Sequence, residues 1–225
     1  MAYHTATTPS PRYPENYASQ GKLVTSLSIA LGVYVVLSLS LFIVQLWYAL
    51  ATNHVIQLTD DAAELLFVSG TTVHWLHDGF DAACCAVGLK FVQRASQNAR
   101  VLGAFAMRFT PESSVDSFDQ RNFFRIMVPA RMMNELWAAS GPEVEALSTP
   151  RFLVWWWPLF LVAKAIQVLG LVAGSSPDAA WWLAASQLLN IAVLYLSYRL
   201  LEGLHERQEL RAMARAASKH RALSA

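Results

Sequence analysis

The sequence predicts an all-α membrane protein: a four-helix transmembrane bundle with a cytoplasmic amphipathic helical segment between spans two and three. Three observations carry this expectation. The 225-residue chain is 55% hydrophobic and only 15% charged, with mean hydropathy +0.32, whereas soluble domains carry about 25% charged residues. Four stretches are apolar over roughly the 20 residues that cross a hydrocarbon core. Finally, of the 17 lysines and arginines, all but Lys90 and Lys164 fall in three segments, separated by two that hold none.

Residues 1–22 are polar, with Pro9, Pro11 and Pro14, and read as a disordered cytoplasmic tail. No basic region directly precedes a short apolar core, so the apolar run that follows is expected to be retained as a span. That first span, 23–50, carries no charge and is long enough to tilt or to project beyond the bilayer. Span two, about 68–92, is the least apolar and carries His74, His77, Asp78, Asp81 and Lys90. Residues 94–105 are expected to continue it as a helix, placing Arg94, Asn98 and Arg100 at headgroup level.

Within 123–137, Phe123, Ile126, Met127, Ala130, Met133 and Trp137 recur at spacings of three and four, with Arg125, Arg131, Asn134 and Glu135 between them. Such a stripe is amphipathic, and Pro129 is expected to kink or divide it. It either caps the cytoplasmic end of the bundle or lies in the lipid interface. Arg94, Asn98, Arg125, Arg131 and Trp137 are the candidate contacts to headgroups or a partner.

Span three, 152–172, opens on Trp155, Trp156 and Trp157, which suit the inner interface. Span four, 181–200, contains Gln187 and Asn190 and begins with Trp181 and Trp182 at the outer interface, where Trp47 and Tyr48 of span one also fall. Residues 202–225 form a basic helix or tail in which Arg207, Arg211 and Arg215 stand one turn apart among Glu202, Glu206 and Glu209. The stripe suits a solvated positive tail or a patch for anionic headgroups. Its interleaved acids and the lack of a recognised motif argue against nucleic acid.

The basic residues orient the chain. Arg12 and Lys22 precede span one, seven arginines from Arg94 to Arg151 separate spans two and three, and six basic residues follow from Arg199 onward. The connections 51–67 and 173–180 contain no lysine or arginine. Basic residues are retained on the cytoplasmic side, so both termini and the long middle loop are expected inside, in the inner membrane. Cys84 and Cys85 are adjacent, and helical neighbours diverge by about 100°, which disfavours a disulfide between them.

From Phe91 to Gly103 the sequence reads FVQRASQNARVLG, and from Asn122 to Ser140 NFFRIMVPARMMNELWAAS, before the tryptophan-rich third span. This order resembles an uncharacterised bacterial membrane family, the domain of unknown function 4328. The resemblance covers about 65–200. It implies a four-span helical bundle with an Arg…Asn-Ala signature leaving span two and a Leu-Trp-x-Ala-Ser ending before span three. It supplies no catalytic residue. Where the family is usually apolar, this chain has the polar stretch from Pro111 to Gln120, so the inner hairpin is expected to differ in shape.

The chemistry-bearing residues lie within the spans. His74, His77, Asp78 and Asp81 follow i, i+3, i+4 and i+7 spacing and share one helix face. Lys164 lies about 18 Å along span three from Phe152, and Asp81 lies about 16 Å along span two from Val92. An ammonium at that depth costs at least about 2.5 kcal/mol without a partner. The plain expectation is an ion pair of Lys164 with Asp81 or Asp78. A hydrated proton or ion pathway and a divalent metal site are the competing uses, and the histidines also fit a position above the core with no ligand. The ammonium disfavours a metal, so none is expected, and no cofactor.

No G-x-S-x-G, H-E-x-x-H, C-x-x-C or Walker sequence is present. The expected function is therefore a non-enzymatic scaffold, sensor or accessory subunit that acts by assembly in the bilayer, with a homo-oligomer or another membrane protein as partner. The alternative is a small oligomeric channel or transporter built on the His/Asp/Lys cluster.

Overall fold

The computed structural model describes residues 14, 16–104, 107–118, 126–141, 150–174, 176 and 178–224. Six helices account for them: α1 Gly21–Thr52, α2 Asp60–Val101, α3 Pro111–Asp116, α4 Val128–Ser140, α5 Arg151–Ala173 and α6 Ala179–Ser224. No strand is present among the described residues. Three helices, α1, α5 and α6, are long and apolar enough to cross a membrane. At 42 residues α2 is longer than α1, but it is not among these three, and His74, His77, Asp78, Asp81 and Lys90 lie along its middle.

The four long helices alternate in direction, as their cross-contacts show. Tyr34 on α1 packs against His77 on α2 with ring centroids 4.7 Å apart. A Cβ on Gly70 would come within 2.9 Å of Val44. Towards the opposite end, Asn98 exchanges two hydrogen bonds with the backbone of Ala18. Trp156 on α5 donates to Ser197 on α6 at 2.8 Å, while Gly170 lies against Leu183. The main packing partners are α1 with α2, α1 with α6, and α5 with α6. The order around the bundle is thus α2, α1, α6, α5, and α2 and α5 flank a more open side.

Helix length places the smaller elements. α2 is about 63 Å long and α6 about 69 Å, roughly twice a hydrocarbon core of about 30 Å. The C-terminal parts of both helices project at the same end, where the arginines cluster, and α3 and α4 dock there. The core runs through this end, with Leu27, Phe91, Met132, Leu136, Trp157 and Leu204 almost fully buried.

Several boundaries differ from those the sequence suggests. α2 starts at Asp60, about two turns before residue 68. The Thr59 side chain accepts from the Ala62 amide at 3.3 Å, and Asp60 and Asp61 favour the helix N-terminus electrostatically. Hydropathy does not register such a polar first turn. At its other end α2 stops at Val101 instead of continuing to 105, and Gly103 takes φ 85°, open to glycine without strain.

α4 begins at Val128, so Pro129 sits in the first turn. There its missing N–H costs no intrahelical bond, and it opens the helix where a kink was expected. Phe123 and Arg125 lie outside the described residues. The buried face of α4, Met132, Met133, Leu136 and Trp137, packs towards α2, α5 and α6, which is the capping arrangement. Met127 is exposed. In the polar stretch after Thr110, the Thr110 and Ser113 side chains bond each other's backbone amides at 3.1 and 2.7 Å, a capping box that nucleates α3.

The tryptophans opening α5 are not a simple interfacial belt. Trp155 is exposed, but Trp156 and Trp157 are buried. Trp157 stacks on Phe160 at 4.9 Å, meets Phe118 edge-on at 6.3 Å, and donates to the Ile126 carbonyl at 2.5 Å. Three consecutive helical positions span about 200°, so the first and third of the tryptophans diverge by about 160° and cannot face the same side.

Candidate functional site

The polar cluster forms where α2 and α5 approach each other. Lys164 Nζ lies 4.0 Å from Asp81 Oδ2 and donates to Gln167 Oε1 at 3.3 Å. It also lies 5.8 Å from the Phe160 ring centroid, within range of a cation–π attraction. Asp78 takes the two histidines: His74 Nε2 at 3.5 Å and His77 Nδ1 at 3.3 Å. Cys85 Sγ lies 3.9 Å from Asp81 Oδ1. Cys84 is buried, Cys85 is exposed, and both are free thiols.

The cluster is thus divided. Asp81 meets the ammonium, while Asp78, one turn away, meets the imidazoles. Among the described residues no three His, Cys, Asp or Glu side chains converge as a metal cage. Among its charged and imidazole groups only His77 is buried; the side chains of His74 and Asp78 are about half exposed, and those of Lys164 and Asp81 are 37% and 40% exposed. The charges therefore stand at the open side of the bundle.

The Lys164–Asp81 contact predicts a double-mutant cycle. For partly exposed ions the coupling is of order 1 kcal/mol. Lys164→Leu with Asp81→Leu is expected to retain about that much more stability than the two single losses predict. Thermal unfolding in detergent measures it, and strictly additive losses would separate the two charges energetically.

A second polar assembly lies at the arginine-rich end. Gln208 of α6 is almost fully buried. Its Nε2 donates to the Ala95 carbonyl at 2.8 Å and to Ser140 Oγ at 2.9 Å, and its Oε1 accepts from Gln20 Nε2 at 3.0 Å. One amide therefore joins the start of α1, the end of α2, the end of α4 and α6. Of the tail expected to be disordered, residues 1–13 and 15 lie outside the described residues, while Tyr17 and Ser19 are held here: Ser19 Oγ donates to Glu209 Oε1 at 2.6 Å, and Tyr17 donates to the same oxygen at 3.2 Å.

The arginine stripe is turned to protein at Arg207 and Arg211, whereas Arg215 and most of residues 213–219 are exposed, as in a solvated tail. Arg207 lies over the Trp137 ring at 4.8 Å. Arg211 donates to the Ala139 carbonyl and, at 3.2 Å, to that of Gly141. Arg215 donates to the Val101 carbonyl at 3.2 Å. A guanidinium at the last carbonyls of a helix satisfies orphan acceptors and favours the helix dipole. Arg211 does this for α4 and Arg215 for α2. Gly203 permits the contact with Trp137, because a Cβ there would lie 2.6 Å from the indole.

Of the five residues expected to meet headgroups or a partner, two are internal. Asn98 is buried against Ala18, and Trp137 is buried against Gly203 and Phe152, the latter at 5.4 Å. Arg94 is half-buried and Arg131 exposed, and Arg125 lies outside the described residues. Arg131 lines a cavity of about 430 Å³ with Arg108, Ser113, Asp116 and Glu135. Glu135 there accepts from the backbone amides of Arg108 and Phe109. Sequence reasoning passed over Gln20, Ser140, Gln208 and Tyr34. The one available signal was an uncharged amide within a charged stripe.

No family model, curated protein or solved structure matches the chain. The fold and site together define an all-helical membrane-protein class: three helices of membrane-crossing character, a polar fourth long helix, and a polar lock at one end.

Proposed function

We propose that the chain is a four-span inner-membrane protein with both termini and the α3–α4 region in the cytoplasm. In this reading it has no catalytic chemistry of its own and acts by assembly, as a scaffold, sensor or accessory subunit. One observation carries the reading: Lys164, Asp81, Asp78 and His74 stand on the open side between α2 and α5, whereas Leu31, Tyr34 and Phe91 fill space among the helices. Charges placed at a rim suit contact with another protein better than passage through this chain. The positive-inside distribution of arginines supports the orientation. The resemblance to the domain of unknown function 4328 belongs to the same proposal. Asn98 and Trp137 to Ser140, from its two signature stretches, contribute to the packing of the buried lock.

A channel or transporter is the second reading. His77 Nε2, Ser38 Oγ, Gln187 Oε1 and Asn190 Nδ2 are buried and make no hydrogen bond among the described residues, a feature that favours hydration or a protein partner. Purification under native conditions, paired with proton and cation flux in proteoliposomes, separates the two. A reproducible partner without flux is the expected result; flux abolished by Asp81→Asn would establish transport instead. Labelling from outside is expected to reach a cysteine placed at Thr59 and not one at Ser148, and the reverse pattern would overturn the orientation.

A further inference from the structure

We propose that the α2–α5 face binds a second copy of this chain, forming a dimer whose two-fold axis is parallel to the membrane normal. The inference rests on the assembly reading and names its partner. α2 is not among the helices of membrane-crossing composition, and the polar side chains on its free side have no cover among the described residues. His74 and Asp78 are half exposed, and Lys164 retains 37% exposure despite touching Asp81. Left against lipid, these groups would carry the cost of intramembrane charge.

The face is complementary to itself. Helical periodicity places Asp78 and Ala82 of α2 on the outer side of the Asp81–Lys164 bridge, with Ala165 and Val168 of α5 beside them, all exposed. Two copies inserted the same way round present equal depths to each other. A two-fold axis through the face then sets α2 of each copy against α5 of the other. The acidic helix meets the one that carries Lys164, at the same depth, twice. Small side chains ease the approach: Gly79, Ala82, Ala83 and Ala86 are exposed on α2, and a Cβ on Gly79 would meet nothing within 4 Å. Lys164 in such a dimer lies between Asp81 of its own chain and Asp78 of the other copy.

Two differently tagged full-length chains, both carrying Cys84→Ser and Cys85→Ser, provide the test. One carries Ala82→Cys and the other Ala165→Cys, and they are co-expressed and oxidised in native membranes. The expected product is a disulfide-linked dimer bearing both tags, in clear excess over the self-linked product of either variant. Energy transfer between labelled chains in liposomes gives the equilibrium, and Lys164→Gln is expected to raise the dimer dissociation constant about tenfold or more. Predominant self-linking of Ala82→Cys would overturn the α2–α5 pairing. A monomer at every protein-to-lipid ratio would overturn the dimer itself. If that monomer still retains one co-purifying membrane protein, the assembly reading stands and only the identity of its partner fails.

Discussion

Trp157→Ala is expected to produce the largest loss of stability from a single apolar truncation. The side chain is 2% exposed, stacks on Phe160, meets Phe118, and donates to the Ile126 carbonyl. Truncating a buried tryptophan costs about 3–5 kcal/mol, and the orphaned carbonyl adds about 1 kcal/mol or more. The indole joins α5 to the segments around α3 and the start of α4, so damage should concentrate there. Unfolding in detergent is expected at a clearly lower temperature, with faster proteolysis between α3 and α5 than within α1. Uniform proteolytic sensitivity along the chain would show that Trp157 serves the whole bundle and not this junction.

Gln208→Leu is expected to be nearly as costly. The replacement has similar bulk but leaves the Ala95 carbonyl, Ser140 Oγ and Gln20 Nε2 without the partners they now have. Unsatisfied buried polar groups cost about 1–3 kcal/mol each, so a loss on the order of 3 kcal/mol is expected after relaxation. Adding Gln20→Leu removes one stranded group and should recover part of that loss. Hydrogen exchange at Ala18, Ser19 and the end of α4 reads the same event locally. Unchanged exchange there, together with a global loss, would separate Gln208 from the lock.

The bundle was legible in the sequence because membrane helices announce themselves by composition. Spans one, three and four fall inside α1, α5 and α6. Depth along the helices narrowed the partner of Lys164 to Asp81 or Asp78, and Asp81 Oδ2 is the carboxylate that lies 4.0 Å from its ammonium. Residues at the arginine-rich end were harder to read. A stripe of arginines has the same spacing whether it faces water or helix C-termini, and only the positions of Ala139, Gly141 and Val101 decide between them. Trp156 and Trp157 misled for a related reason: a belt residue and a core residue are both tryptophan near a span end. Asn98 and Gln208 are buried because backbone and amide groups on other helices await them, and pattern along one helix contains no record of that.

The unbroken course of α6 has a mechanical consequence. Leu183 near one end touches Gly170 of α5, and Arg211 near the other grips the end of α4. No glycine or proline hinge intervenes except Gly203, which is filled by Trp137. A rod of about 69 Å tilting by about 5° around its middle displaces each tip by about 3 Å. Anything that pulls α4 at one tip therefore moves the other tip in the opposite sense, and a displacement on one side of the molecule becomes a readable displacement on the other.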